Sequence, residues 1–308
     1  RADSSGLLAV GGTTCSPSAL GAADRVLSSK GILMVSPSNT APELTEPFVG
    51  QRFYARTAAN GLIQGSVVAD FAKVKSGASS AVVIHDETPY SKSLAEVFAG
   101  RFEYLGGRAD LRQINGPDQK KVENAVKSAR RLNPDIIYFP VVTPVCNWFV
   151  EALAKNPSSK TKALTSDGCL SSDVLDLARD AGLELYASGP DPARIHARDF
   201  YANSPEGPYH PQAFDAANLI LDAMRRVAIR GAGGTLTVPR TALRDALREV
   251  NGYDGLSGVM ECLPTGDCAQ SSLIAVFRTP AWPVDGGAVD SKPIYSQSKT
   301  LVEIQASS

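Results

Sequence analysis

Histidine is scarce in this sequence, and the residue groupings that most enzymes need are missing. The 308 residues include three histidines, dispersed at His85, His196 and His210. There is no GxSxG elbow, no P-loop and no GxGxxG after a strand, and the glycine-rich stretch 231–237 follows a helix and is predicted to be a loop. His85-Asp86 at a predicted strand end is the one acid–base candidate, but catalysis also needs a nucleophile or metal within reach. We therefore expect no enzyme activity and no cofactor.

Metal-ligand spacings, long apolar runs and an excess of either charge are absent as well. No CxxC or HxxxH spacing is found, so metal binding is a weak alternative. No run approaches the length of a membrane-spanning helix, about 18 apolar residues. The chain has 31 basic and 32 acidic residues and a net charge of −1. This argues against nucleic acid or an anionic membrane as a partner, because both call for a basic patch.

What the sequence does contain is an alternation of short apolar runs and amphipathic segments. Hydrophobic residues make up 43% of the chain, enough for one large or two medium domains with their own cores. Short runs that are apolar on both faces suit parallel strands covered by helices, and single helices between them imply right-handed crossovers. The predicted strands are 7–10, 32–35, 81–84, 111–114, 135–142, 163–165 and 185–187.

The pattern changes after Ser188. A long polar connection, 189–211, is followed by two predicted helices at 213–227 and 241–250. The chain from Gly258 onward is hairpin-like and then rich in proline and glycine. We see no internal repeat beyond the β–α rhythm.

Two strand-to-helix turns of one kind lie close together near the start of the chain. The first apolar run ends at a glycine pair and continues as Thr-Thr-Cys-Ser at 13–16, and the second ends at Ser-Pro and continues as Ser-Asn-Thr at 38–40. Ligands gather at the carboxyl ends of parallel strands, and hydroxyls with free N–H groups suit a carboxylate or another small anion. The alternative is that these residues are ordinary helix N-caps.

The five cysteines allow two disulfides. Cys262 and Cys268 bracket the turn sequence LPTGD inside a predicted hairpin, and Cys146 and Cys169 each follow a strand in consecutive β–α units. Cys15 is left over. Two disulfides favour an oxidising, extracytoplasmic compartment. The alternative is that all five are reduced, small buried hydrophobes.

Several segments together resemble a known family. TCSPSAL, GILMVSPSNTAPELTE and FYARTAANGLIQG, followed by HDETPYSKSL, NPDIIYF, LTSDG and FDAANLILDAM, resemble the type I periplasmic binding proteins of the branched-chain amino-acid (Leu/Ile/Val) ABC-transporter class. The order and spacing of the segments carry the resemblance, which covers nearly the whole chain. It implies an α/β fold with two Rossmann-like lobes, each with a parallel sheet, joined by a three-strand hinge.

The resemblance also implies a function. The family binds an amino acid or a similar small molecule between the lobes, closes on it by a hinge motion and delivers it to the membrane permease of an ABC importer. A ligand-sensing receptor or regulator on the same fold is the alternative. We expect a monomer in the periplasm or outside the cell.

Both lobes are expected to be discontinuous. The resemblance implies lobe 1 at 1–58 plus 188–270 and lobe 2 at 59–187 plus 271–308, with crossings near 54–58, 186–189 and 271–276. Family members begin with two strands and a long helix before the Cys-Ser turn, and these are absent here. We therefore expect an N-terminal segment to be missing, with a partner for Cys15 and, as an option, a lipid anchor.

Ligand contacts follow from the resemblance residue by residue. Ser16, Ser38 and Thr40 match the carboxylate-binding positions, with backbone N–H groups at Ser16 and Thr40 contributing. Asn39 stands where small residues are common, so it either adds a polar contact or caps. Tyr209 is expected to line the pocket from lobe 1.

The second lobe supplies the other contacts. Asp167 matches the acidic ligand of the ammonium group, although an Asp-Gly pair also commonly begins a turn. Tyr90 matches an aromatic residue that closes over the ligand; otherwise it is a surface residue at a helix N-terminus. Val142 and Thr143 match a position that shapes the side-chain pocket. Trp148 is expected to be part of the core.

Overall fold

A computed structural model describes most of the chain, which divides by its contacts into two compact units. The described residues are 6–46, 52–155, 158, 160–191, 207–269, 271–282 and 292–305. Of these, unit 1 contains 6–46, 52–60, 209–269 and 271, and unit 2 contains 61–155, 158, 160–191, 207–208, 272–282 and 292–305.

The described residues form fourteen strands and nine α-helices. The strands are β1 (Ala9–Gly11), β2 (Leu33–Ser36), β3 (Tyr54–Arg56), β4 (Ser80–Asp86), β5 (Arg108–Ile114), β6 (Ile136–Phe139), β7 (Lys162–Thr165), β8 (Leu185–Pro190), β9 (Ile229–Arg230), β10 (Leu236–Thr237), β11 (Asn251–Gly255), β12 (Gly258–Glu261), β13 (Ser271–Arg278) and β14 (Tyr295–Thr300). The α-helices are α1 (Ser16–Ala22), α2 (Gly61–Asp70), α3 (Pro89–Tyr104), α4 (Gln119–Arg130), α5 (Val145–Ala154), α6 (Ser172–Asp180), α7 (His210–Val227), α8 (Arg240–Arg248) and α9 (Leu301–Gln305).

Unit 1 is built on a three-stranded parallel sheet with the order β1-β2-β3. All four residues of β2 are buried, which explains why its sequence is continuously apolar up to the final serine. Residues of α7 and α8 share one apolar cluster with β2, whereas α1 and the π-helical turn that continues it share another. The carboxyl ends of β1 and β2 are therefore the places where the two polar turns begin.

Unit 2 is built on a seven-stranded sheet with the order β14-β13-β8-β7-β6-β4-β5. The strands β5, β4, β6, β7 and β8 are parallel, and β13 runs antiparallel to β8. One face is covered by α4, α5 and α6, the other by α2 and α3. The parallel strands carry their carboxyl ends to one edge, where Asp167 follows β7.

Some predicted boundaries were wrong. The strand predicted over 135–142 is only β6, because Pro140 follows it, and the next helix, α5, begins at Val145. Part of the glycine-rich stretch 231–237, predicted to be a loop, is β10, which pairs antiparallel with β9. Gly233 and Gly234 have φ of 73° and 82°, so they turn the chain back for this pairing.

Two further predictions concern the rest of the chain. Most of the predicted polar connection lies at 192–206, outside the described residues, and its first residues belong to β8. No helix in the described part of the chain is long and apolar enough to cross a membrane.

Candidate functional site

In unit 1 the two polar turns are joined by side-chain hydrogen bonds. The Ser36 hydroxyl donates to the Thr13 carbonyl at 2.8 Å, and the Ser38 hydroxyl donates to the Thr14 carbonyl at 3.1 Å. The backbone N–H of Ala41 donates to Ser16 Oγ at 3.3 Å. The turns after β1 and β2 therefore form one polar surface, and Ser16 and Ser38 belong to it.

Thr40 differs from its neighbours in having no hydrogen bond. Among the residues that the structure describes, neither its backbone N–H nor its hydroxyl has a partner, although Thr40 is only 1% exposed. A buried donor left unpaired costs roughly 1–3 kcal/mol. An acceptor supplied by a ligand would remove that cost. Ser38, in contrast, uses both of its donors within unit 1. Its N–H donates to Ser36 Oγ, and its hydroxyl donates to the Thr14 carbonyl.

Asn39 is buried between the two turns. Its Oδ1 atom lies 3.4 Å from both Thr13 Oγ1 and Tyr54 Oη, and its Nδ2 atom has no partner among the described residues. It caps no helix, since the 3₁₀ turn that follows, Pro42–Leu44, has its N-cap at Ala41. Cys15, the N-cap of α1, also makes no side-chain cap bond. Helix capping therefore does not account for these polar turns.

In unit 2 the centre of the polar network is Asp167. Its Oδ1 atom accepts hydrogen bonds from Gln64 Nε2 at 2.7 Å and Tyr90 Oη at 2.8 Å. Tyr90 Oη also lies 2.8 Å from Ser166 Oγ and accepts the N–H of Gly168 at 3.0 Å. Asp167 does begin a 3₁₀ turn, but no side chain caps that turn. The bonds to Gln64 and Tyr90 hold its carboxylate in one orientation.

Two tyrosines near Asp167 stay protonated. Burial raises the pKa of Tyr90 well above its ordinary value, and the Asp167 carboxylate raises it further. Burial and the same carboxylate also raise the pKa of Tyr138, whose hydroxyl has no hydrogen-bond partner in the described part of the chain. Both phenols are therefore donors over the physiological pH range.

The residues predicted to shape the side-chain pocket are placed differently. Gly168 has so little space that an added Cβ would lie 2.8 Å from Val142 Cγ1 and 3.0 Å from Tyr90 Oη. Val142 is therefore next to the Asp167 network, whereas Thr143 is exposed. In unit 1, half-buried Tyr209 is the N-cap of α7.

Both predicted disulfides are present. Cys146–Cys169 links α5 to the 3₁₀ turn that begins at Asp167, and Cys262–Cys268 closes a loop after β12. Cys15 is a free, exposed thiol. The described residues contain no group of three or more side chains that could hold a metal ion.

The acid–base candidate is not assembled in the way catalysis would need. His85 Nδ1 lies 2.7 Å from the backbone carbonyl of Asp86. The Asp86 carboxylate instead accepts from the N–H and the hydroxyl of Thr88. The histidine and the carboxylate are thus engaged with different groups.

A family model described as "Periplasmic binding protein" matches residues 2–271. The chain belongs to the periplasmic binding protein family. Membership implies a periplasmic or extracellular location and a solute-binding fold.

Relatives of this periplasmic binding protein have names that refer to amino acids. A Leu/Ile/Val-binding protein homolog 1 of Brucella abortus is 26% identical over 183 residues, 59% of this chain and 47% of that protein. The leucine-specific-binding protein of Salmonella typhimurium is 25% identical over 297 residues, 93% of this chain and 75% of that protein. The chain spans about half the length of the Brucella relative.

Solved structures agree on the fold. The leucine binding protein LivK from Thermotoga maritima has a TM-score of 0.76 at 23% identity, covering 90% of this chain and 78% of that one. A solute binding protein from R. palustris in complex with benzoate has a TM-score of 0.74 at 18% identity, covering 92% and 78%. The fold is that of the type I periplasmic binding proteins.

Sequence reasoning missed three residues of the unit 2 network of this binding protein. Gln64, Ser166 and Ser188 are all buried, and Gln64 Nε2 also donates to Ser188 Oγ at 3.1 Å. The available signal was Gln64 itself, a polar side chain among the apolar residues of α2. A long polar residue at a fully buried helix position needs a specific partner.

Proposed function

We propose that this chain is the extracytoplasmic solute-binding protein of an ABC importer and that its ligand is an amino acid. The observation that carries the proposal is the buried Asp167 carboxylate, 8% exposed, whose Oδ1 atom is fixed by the neutral donors Gln64 and Tyr90. A carboxylate held in one orientation suits a charge-assisted hydrogen bond to an ammonium group.

The carboxylate of the ligand is assigned to unit 1. Thr40 offers an N–H and a hydroxyl that no described residue uses, and Ser16 lies at the same turn junction. Donors that are already shielded from water bind an anion more strongly than exposed ones. Ser38 and Asn39 are assigned supporting roles in the same turns. Tyr209 remains a predicted pocket residue.

The side chain of the ligand is assigned to the region of Val142 and Thr143. Val142 provides an aliphatic surface beside Gly168. The Brucella and Salmonella relatives are named for leucine, isoleucine and valine, which favours an aliphatic amino acid. The benzoate-bound structure is named for an acid without an ammonium group, so aromatic acids belong in any ligand panel.

The remaining assignments follow the family. The partner is the membrane permease of the importer, the protein acts by binding and not by catalysis, and a lipid anchor stays a prediction. A copurification of this chain with its permease in detergent would test the partner.

Isothermal calorimetry with Asp167→Asn tests the ligand assignment. We expect the wild-type protein to bind at least one of leucine, isoleucine, valine, serine and benzoate. If an amino acid binds, Asp167→Asn should weaken it by about 30-fold or more, because removing one member of a desolvated charge pair costs about 2–5 kcal/mol. Binding of benzoate should change little.

Asp173→Asn is the matched control, since Asp173 is an exposed carboxylate in the first turn of α6. It should leave every affinity unchanged. Amino-acid affinity that is the same in Asp167→Asn as in the wild type would remove the ammonium role. A wild-type protein that binds none of the four amino acids would contradict the proposed ligand class.

A further inference from the structure

Beneath the second polar turn of unit 1 lies a buried ion pair that the proposed ligand contacts do not use. The Arg56 side chain is 0% exposed and that of Asp267 is 2% exposed. Arg56 Nε donates to Asp267 Oδ1 at 3.1 Å, and Nη2 donates to Oδ2 at 2.8 Å. Two parallel bonds of this kind fix the plane of the guanidinium group.

The third nitrogen of Arg56 holds the turn. Nη1 donates to the carbonyl oxygen of Asn39 at 3.3 Å and to that of Ala41 at 2.8 Å. In a trans peptide the C=O of Asn39 and the N–H of Thr40 point in opposite directions. Since the carbonyl faces Arg56, the N–H of Thr40 faces away from it, and that N–H has no partner in the described part of the chain.

Asp267 is held in its turn from several directions. Its Oδ2 atom accepts from Thr45 Oγ1 at 2.7 Å and from Asn60 Nδ2 at 3.0 Å. It lies inside the loop closed by the Cys262–Cys268 disulfide.

Backbone bonds attach this loop to β3. The N–H of Arg56 donates to the Gly266 carbonyl at 2.9 Å, and the N–H of Cys268 donates to the Arg56 carbonyl at 3.0 Å. Gly266 has a φ of 97°, and an added Cβ would lie 2.2 Å from the Tyr54 carbonyl. Only glycine permits so close an approach, so the loop packs directly against β3.

Charge supports the same arrangement. Burial alone would lower the pKa of Arg56, but the Asp267 carboxylate, with further contributions from Tyr54 and Glu43, raises it above the ordinary value. Arg56 therefore remains a cation at all working pH values and continues to donate to the carbonyls of Asn39 and Ala41. The pair is too deeply buried to be a ligand contact itself.

We infer that Arg56 and Asp267 are positioning residues, which aim the Thr40 N–H at the ligand carboxylate, with the disulfide loop as part of the support beneath that turn. The inference rests on the proposed function, because it presumes a ligand with a carboxylate. It predicts that the pair affects recognition of that group and not of the rest of the ligand.

The test compares an amino acid with its own amide. For the panel member that binds most tightly, such as leucine, affinities of the acid and of leucinamide are measured by calorimetry. Arg56→Lys keeps the positive charge and loses the two parallel guanidinium bonds. Asp267→Asn keeps the shape of the side chain and loses its negative charge. We expect each to reduce the preference for acid over amide at least 10-fold, with amide affinity within about 3-fold of wild type.

Arg101→Lys is the matched control. Arg101 Nε pairs with Asp70 at 2.8 Å in unit 2, where Asp70 is also largely buried, but it holds no turn. The same substitution there should leave the acid-to-amide ratio unchanged. If Arg56→Lys does not fold, Cys262→Ala/Cys268→Ala keeps both charges and releases the loop, and it should lower the ratio in the same direction.

The outcomes separate the inference from the function on which it rests. Wild-type binding with a ratio that the folded variants do not change overturns the positioning role alone. Equal losses of affinity for the acid and the amide would mean a general structural role, and they would also overturn the positioning role. A wild-type protein that binds no carboxylate of the panel overturns the proposed function, and the positioning role falls with it.

Discussion

The two polar sites use their hydrogen bonds in opposite ways. In unit 2, the Asp167 carboxylate already receives donors from α2 and α3, and the N–H of Gly168 is taken by Tyr90. In unit 1, the turns are joined to each other, but both donors of Thr40 remain without a partner among described residues. The unit 2 residues are therefore preorganised around a carboxylate, whereas the unit 1 turn keeps two donors available for an acceptor that the described residues do not supply.

The supports beneath the two sites differ too. The Asp167 turn is anchored by a disulfide that joins residues 23 apart, and the Thr40 turn is anchored by an ion pair and a disulfide that joins residues 6 apart. The Asp167 turn is thus fixed by a covalent link to a helix, whereas the support of the Thr40 turn includes a buried ion pair. Mutations that separate these supports can break or sharpen the comparison.

The largest effect should come from removing the charged support. Arg56→Ala leaves Asp267 buried without its cation, and breaking a buried pair in this way costs about 3–5 kcal/mol of unfolding free energy. Hydrogen exchange at the amides of β2 would measure it.

Arg101→Ala in unit 2 is the corresponding change at a less buried pair. Asp70 keeps Lys299, whose Nζ lies 2.6 Å from its second oxygen, so we expect a loss below about 2 kcal/mol. Equal losses in the two units would show that the charged support of unit 1 is not special.

The disulfide whose removal costs more stability should not be the one whose removal costs more ligand preference. Chain entropy predicts that Cys146→Ala/Cys169→Ala costs about 3 kcal/mol and Cys262→Ala/Cys268→Ala about 2 kcal/mol, because the first closes a longer loop. Thermal unfolding measures this order. Preference for a ligand acid over its amide should fall more for the second pair, whose loop carries Asp267. The same order in both measurements would contradict the assigned role of the loop.

The smallest effect concerns two buried tyrosines. Tyr138 in unit 2 has an unpaired hydroxyl, so Tyr138→Phe should be neutral or stabilising by about 1 kcal/mol at pH 7. Tyr54 in unit 1 donates to Asn39, so Tyr54→Phe should be destabilising by about 1 kcal/mol. Urea unfolding by tryptophan fluorescence for the first, and hydrogen exchange in β2 for the second, would check the opposite signs.

Tyr138 also makes the free energy of unfolding depend on pH, with a definite sign. Burial raises the pKa of Tyr138 in the folded state, so above about pH 10 the unfolded chain loses a proton that the folded chain keeps. The contribution of Tyr138 to stability is constant below that pH and falls as the pH rises further. The advantage of Tyr138→Phe should therefore grow between pH 9 and 11. An advantage that stays constant would contradict the raised pKa.

Local patterns predicted much of the fold. Runs such as 32–35 and 81–84 are continuously apolar because both faces of their strands are covered, and that signal needs no knowledge of distant residues. The β–α rhythm and the two cysteine pairs are likewise local or nearly so. The β9–β10 pairing was missed because each strand has only two residues, too few to show a period.

The supports of the sites could not be predicted in the same way. Arg56 and Asp267 are separated by 211 positions, and nothing in either neighbourhood indicates the other. Gln64 and Asp167 are separated by 103. Which donor meets which acceptor is decided by packing, so such partners emerge only when the chain is folded. The polar turns themselves were visible, because hydroxyl residues after an apolar run are a local signal.

Gly168 limits how the specificity of this protein could be redesigned. Any side chain there would meet the Val141 carbonyl at 2.6 Å and the Tyr90 hydroxyl at 3.0 Å, so a saturation library at this position should yield no functional variant. Val142 and exposed Thr143 are free of that restriction. Under the proposed ligand contacts, a biosensor built on this scaffold would therefore be tuned to new solutes from the β6–α5 connection and not from the turn that contains Asp167.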